Sequence, residues 1–330
     1  MILGTAVVTY LGYRGVVKDN LVNSSTGFHE LYVKSNWNYD SLTTGLYPYL
    51  IDYESFDLLA QKMNLPNKVK PGYYQIGDSL GNRALIQQLR SGVTTDVKVT
   101  LNGSLKRQEI LPKICSNLEA DSSQLMELFS QQSFVDSLGY NSENWPCLFV
   151  ANTYFFNWAT SPVSIVERFV KERNKFWDAN RTNKAKALDL TKNEVIILAS
   201  IVDAETMMNS EMPIIAGVYL NRLQKDWPLG ADPTIQYLIK DKGRQRVLYA
   251  DLEIESPYNT YKNTGLPPGP ILLPSTKAID AVLNADSHEY MFFCARSDFS
   301  GYHAFAKNLA QHNRNRAAFM RELNLRGIMR

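Results

Sequence analysis

LASIVDAET, residues 198 to 206, closes an almost wholly apolar run with two carboxylates, Asp203 and Glu205. Upstream, Thr191 and Glu194 have the spacing of a capping box, which sets a helix start. Between them and the acids, Val195 to Leu198, Ala199, Ile201 and Val202 cover nearly the whole circumference. A helix that is apolar all round is a buried one. At about 100° per residue, Glu205 falls below Leu198, Ile201 and Val202, on the apolar stripe, and Asp203 lies about 200° around from it. The two acids therefore do not form a side-by-side pair.

Burying an ionised carboxylate is costly unless it is paired or protonated. If Glu205 faces the stripe, desolvation and the negative helix C-terminus both raise its pKa, giving the protonated acid that glycosidic-bond cleavage needs. The plain alternative is a helix end where Glu205 reaches solvent or pairs with Arg222. A lone glutamate at a helix end is common, so this stretch by itself favours the plain alternative.

Downstream, Pro213 begins a second helix, PIIAGVYLNRLQKDW. From Pro228 to Pro274 the chain is rich in Pro, Gly, Asn, Asp and Tyr and reads as loops, which surround binding sites more often than they fill cores. The spacing then predicts a helix at STKAIDAVLNA, strands at EYMFFCAR and YHAFA about the turn SDFSG, and a basic helix from near Asn308. Here His312 and Asn313 suit a helix-start cap or a site wall.

Upstream, FHELYVKS alternates, YESFDLLAQKMNL is helical, and VKPGYYQIGDSLGNRALIQQLRSG reads as turn, strand, turn and an amphipathic helix stopped by Gly92. TTDVKVTLNG is a half-buried strand, LKRQEILPKICSNL resumes helical spacing, and residues 163 to 190 read as a charged helical stretch. Strands and helices alternating over such short lengths predict one or two small α+β modules. No long-period repeat is present.

The 330 residues suffice for two domains. A formal charge of +2 gives no electrostatic case for nucleic acid. Three separated cysteines, Cys115, Cys147 and Cys294, lack CxxC spacing. The four histidines, His29, His288, His303 and His312, show no ligand spacing such as HExxH, so no metal is expected. MILGTAVVTYLGY at the N-terminus is shorter than the roughly 20 apolar residues of a spanning helix. It reads as the outer part of a membrane anchor rather than a signal peptide.

LASIVDAET, AGVYLNRL (216 to 223), ADPTIQY (231 to 237), SPYNTYKNTGLPPGPI (256 to 271), GYHAF (301 to 305) and His312-Asn313 follow one another at compact spacing. In that order they closely resemble the MltG/YceG-like family of endolytic murein transglycosylases, from about Thr191 to Asn313. More weakly, VKPGYYQI and ALIQQLRSG resemble the family's LysM-like module, and NTYFFNWATSP its junction before the catalytic domain.

The resemblance implies an α+β chain, with a small LysM-like N-terminal α+β module followed by a mixed α/β catalytic domain. Its expected parts are a partial anchor or linker at 1–20, the N-terminal region at 21–120, a helical connection at 121–190, and the catalytic domain at 191–330. It makes Glu205 the catalytic acid, which protonates the oxygen between N-acetylmuramic acid and N-acetylglucosamine. As a carboxylate, Glu205 then takes the proton of the muramic C6 hydroxyl, and a 1,6-anhydro end results without water or cofactor. Where the family carries two glutamates flanking a lysine, this chain has Asp203, Ala204 and Glu205, and Gly230 replaces the glutamine usual before the family's DPT.

Candidate substrate-binding residues are Asn221, Arg222, Asp232, Thr234, Tyr258, Asn259, Tyr261 and His303, which offer aromatic faces and polar groups suited to sugars. Half-buried loop packing explains Tyr258 and Tyr261 equally well, and a structural histidine explains His303. Gly265, Pro267, Pro268 and Gly269 fit a rigid loop better than sugar contacts. The implied partners are peptidoglycan strands, peptidoglycan synthases and, through the anchor, the bacterial inner membrane with the catalytic domain on its outer face. Two other readings stand beside this one: a non-catalytic peptidoglycan-binding scaffold, and a hydrolase pairing Glu205 with Asp232.

Overall fold

The computed structural model describes residues 15, 16, 18–239 and 247–327. The fold is α+β, and the chain divides into two compact units. The first comprises residues up to Val99 with Ile114–Gln124 and Thr153–Ile165, and the second Thr100–Lys113, Leu125–Asn152 and Val166–Arg330. No helix among the described residues is long and apolar enough to cross a membrane. The expected anchor, apart from its last few residues, lies outside the described residues.

In the first unit, strand β1 (Phe28–Val33) pairs antiparallel with β2 (Gly72–Gly77), in register from Phe28 opposite Gly77 to Val33 opposite Gly72. Strand alternation turns Leu31 and Val33 of β1 and Tyr74 and Ile76 of β2 into the core. Helices α1 (Tyr39–Leu46) and α2 (Tyr53–Lys62) lie between the strands in sequence, each started by a side-chain cap, Asn38 and Asp52. Helix α3 (Asn82–Ser91) adds Leu85, Ile86 and Leu89 to the core and stops at Gly92, which adopts a left-handed φ of 72°.

The chain continues through β3 (Val97–Leu101), α4 (Arg107–Cys115), α5 (Ser122–Ser130), α6 (Gln132–Ser137) and β4 (Asn152–Phe156), which pairs with β3. The charged stretch from 163 to 190 is two helices, α7 (Pro162–Phe176) and α8 (Ala179–Ala187), because the Asp178 side chain accepts from the Arg181 N–H and starts a new helix.

Helix α9 (Lys192–Glu205) begins at a complete Thr191–Glu194 capping box and is buried without interruption from Val195 to Val202. Around it pack α8, α10 (Met212–Gln224), α11 (Asp232–Leu238) and α12 (Thr276–Leu283). One face of α9 also fixes the loop before α12: the Ser200 hydroxyl accepts from Ile271 N–H at 3.1 Å, and Asp203 accepts from Ser275 N–H at 2.8 Å.

Strands β5 (Phe292–Ala295) and β6 (His303–Ala306) form an antiparallel hairpin, and α13 (Leu309–Leu325) packs on it. Two expectations need correcting. The segment 228 to 274 is not all loop, since it holds α11 and the 3₁₀ turn Tyr249–Glu253; Pro233 at the start of α11 accepts a helical φ and gives up no hydrogen bond there. The cap of α13 is Asn308, whose side chain accepts from Gln311 N–H, so His312 and Asn313 lie inside the helix and do not cap it, while His312 does line the wall of the cleft that holds Glu205.

Candidate active site

A cleft of about 1230 Å³ opens in the second unit, and Glu205 at the end of α9 lines it. Asp232 at the start of α11, Tyr261 from the following loop, and Phe293 and His303 from the hairpin line it too. Glu205 is half-buried. Among the described residues a single side chain donates to it: the hydroxyl of Tyr219, fully buried on α10, reaches Oε1 at 2.5 Å.

Burial pushes the Glu205 carboxyl up to about 7; the Tyr219 hydrogen bond and the Arg222 charge pull it down, and the Asp232 charge pushes it up. The last turn of α9 contains no basic residue to offset the negative helix end. Glu205 therefore keeps its proton close to neutral pH while remaining open to the cleft, the state required of a general acid. Its phenolic partner is held un-ionised, because burial and the neighbouring carboxyl raise the Tyr219 pKa.

Asp203 points elsewhere. Its two oxygens accept from the backbone and hydroxyl of Ser275, the residue that caps α12.

Of the candidate binding residues, Asp232, Tyr261 and His303 share the cleft with Glu205. The Tyr261 hydroxyl donates to Asp232, and burial with that carboxylate raises the Tyr261 pKa. The remaining candidates lie outside the cleft lining and tie its walls together. Asn221 donates to the carbonyls of His288 and Tyr290, at 2.8 and 3.0 Å. Arg222 donates to the carbonyls of Met291 and Leu229, so its influence on Glu205 is electrostatic. These consecutive residues of α10 together fix the chain entering β5.

Thr234 and Thr260 share a buried hydroxyl pair at 2.9 Å, and Thr260 also accepts from Ala231 N–H, which locks the start of α11 to the tyrosine loop. Asn259, fully buried, donates to Leu252 and Ile254 carbonyls and accepts from Tyr261 N–H, an arrangement that aims Tyr261. Tyr258 is buried, donates to Glu143 at 3.0 Å and packs against Tyr237. Gly269 is required by close approach: a Cβ there would come within 2.2 Å of the Glu143 carbonyl oxygen.

Two residues with prominent places were not singled out in the sequence. Tyr219 lies inside AGVYLNRL, but an apolar helix disguises it as core. Glu211, directly before an apolar helix start, resembles an ordinary first-turn acid, yet it is only 4% exposed and holds His303.

The YceG-like family model matches residues 31–318. An endolytic murein transglycosylase of Bacillus subtilis (strain 168) is 30% identical over 269 residues, spanning 77% of this chain and 74% of the relative. One from Streptococcus pneumoniae serotype 2 is 27% identical over 276 residues, 75% of this chain and 50% of the relative. A crystal structure of a yceG-like protein from Listeria monocytogenes, 23% identical, superposes with a TM-score of 0.57 over 88% of this chain and 99% of that one, a likeness of fold. With the family model covering most of its length, the chain belongs to the YceG-like family.

Proposed function

We propose that this protein is an endolytic peptidoglycan transglycosylase that cleaves the bond between N-acetylmuramic acid and N-acetylglucosamine and leaves 1,6-anhydro ends. The observation that carries this reading is Glu205: a carboxyl raised to about 7 at the edge of an open cleft, with the Tyr219 phenol as a hydrogen-bond donor. Protonated, it donates to the bridging oxygen as the C1–O bond breaks; the muramic C6 hydroxyl attacks C1 and gives up its proton to a base in the cleft. Glu205, ionised by the first step, is one such base.

A water-activating second carboxylate is not needed when the nucleophile belongs to the substrate. A hydrolytic reading stays in view because Asp232 shares the cleft and its charge acts on Glu205. Tyr261 supplies an aromatic face on the same wall, suited to a sugar ring.

The strand–helix–helix–strand order of the first unit supports the LysM-like reading of that region. With this function go a site of action outside the cytoplasmic membrane, tethering through the N-terminal segment, and cooperation with peptidoglycan synthases in ending nascent strands. Mass spectrometry of digested peptidoglycan tests the chemistry. Anhydro ends are expected; reducing ends would establish hydrolysis through Asp232, and uncut strands would leave a binding scaffold.

A further inference from the structure

Glu211 is a buried carboxylate that the mechanism above does not use. It sits six residues after Glu205, and two donors and one ring nitrogen converge on its two oxygens. His303 N–H reaches Oε1 at 2.7 Å, His303 Nδ1 lies 2.8 Å from Oε2, and the Thr206 hydroxyl lies 3.5 Å from Oε2. Ringed by donors, the carboxylate acts as an acceptor, so the proton of the neutral imidazole sits on Nδ1. The other ring nitrogen, Nε2, then carries a lone pair. It has no protein partner among the described residues, and His303 lines the cleft that holds Glu205.

The ring is held in place on its other side as well. Phe293 meets His303 edge-on at 5.4 Å and Tyr219, the partner of Glu205, edge-on at 5.9 Å. A carboxylate fixing Nδ1–H and leaving Nε2 free is the arrangement that makes histidine a base, since the imidazolium formed on proton uptake is stabilised by the charge behind it. A merely structural tie between the starts of α10 and β6 needs only the backbone N–H bond to Glu211.

We propose that His303, positioned by Glu211, is the base that takes the proton of the attacking C6 hydroxyl while Glu205 protonates the leaving oxygen. The inference rests on the transglycosylase reading. In the step, the O–H bond of the C6 hydroxyl breaks as its proton passes to Nε2, the C6 oxygen forms its bond to C1, and the C1–O4 bond breaks. O4 takes the Glu205 proton, and solvent then returns a proton from the imidazolium to Glu205.

The test is steady-state kinetics of anhydro-end formation on purified glycan strands. His303→Ala and His303→Gln are each expected to lower kcat about 100-fold or more with KM within a few-fold, the usual share of a general base. Glu211→Gln is expected to lower kcat similarly with the fold retained, because its amide can donate to Nδ1 and force the proton to Nε2. If either folded His303 variant raised KM with kcat unchanged, His303 would be a sugar contact and the proposal would fall. It would fall equally if Glu211→Gln kept full kcat. Failure of the wild-type protein to form anhydro ends would overturn the transglycosylase reading itself, whatever the variants do.

Discussion

The first unit and the cleft of the second both bury polar side chains, and they treat them in opposite ways. Asn20 and Asn82, 4% and 0% exposed, form a closed network. Asn20 donates to the Asp52 carbonyl and to Asn82 Oδ1 and accepts from Asp52 N–H, at 2.8, 2.6 and 2.7 Å. The Asn82 amide continues to the Gly15 carbonyl and the Ser55 hydroxyl. A saturated network of neutral groups fixes one arrangement and leaves nothing to react with. Among the described residues Glu205 has one donor, a neighbouring carboxylate that opposes its charge, and an open side. Incomplete satisfaction marks the group available for chemistry, and substitutions at the two places should separate these roles.

The largest effect is expected from Glu205→Gln, which keeps the size and removes the transferable proton. Anhydro-end formation should fall by about 10²- to 10⁴-fold, the span of general acid catalysis, with the far-ultraviolet circular dichroism unchanged. Full activity would remove Glu205 from the reaction.

The same substitution should stabilise the protein in alkaline solution. An acid whose folded pKa is raised binds its proton more tightly when folded, so its contribution is greatest below about pH 4.5 and is lost as pH rises through about 7. At about 1.4 kcal/mol per unit, keeping Glu205 ionised at pH 8 costs roughly 3 kcal/mol of stability. Denaturation of Glu205→Gln and wild type should therefore show a gap at pH 8 that closes toward pH 4.5. A gap independent of pH would mean that burial does not raise this carboxyl.

In the saturated network the sign reverses. Asn82→Ala removes one hydrogen bond each from Asn20, the Gly15 carbonyl and the Ser55 hydroxyl and should destabilise the first unit by about 2–3 kcal/mol in denaturant titrations. The pH dependence of cleavage should stay where it is.

Tyr219→Phe has a smaller expected effect and reports on the cleft alone. The phenol stabilises the ionised form of Glu205, so its loss should raise the carboxyl further. A hydrogen bond to a charged group is worth about 1.5–3 kcal/mol, so the alkaline limb of the pH–rate profile should move up by roughly one to two units. A limb that moved down would show that the phenol favours the protonated acid.

How legible all this was in the sequence depended on whether a signal was local. The capping box at Thr191 and Glu194, the stop at Gly92 and the burial of Val195 to Val202 follow from periodicity and backbone chemistry, and the structure contains each of them. Helical geometry also separated Asp203 from Glu205. What could not be read were partnerships across long separations. Tyr219 finds Glu205 from 14 residues away, and Glu211 finds His303 across 92. The short helix at Asp232 was hidden by the proline and glycine around it, and the break at Asp178 by unbroken helical charge on both sides.

Asp203→Asn should have the smallest effect, and it sharpens the comparison within a single helix end. Asp203 accepts from Ser275 N–H at 2.8 Å and from the Ser275 hydroxyl at 3.0 Å, while that hydroxyl accepts from Ala278 N–H as the cap of α12. The amide keeps an oxygen for the backbone N–H, and its own NH₂ faces a hydroxyl with a lone pair still free. The net loss is then mainly the attraction between a negative charge and the N-terminus of α12, about 0.3–1 kcal/mol. Denaturation should register that loss with cleavage close to wild type. A drop in cleavage as deep as that of Glu205→Gln would place Asp203 in the reaction and show that α9 turns its other face to the glycan.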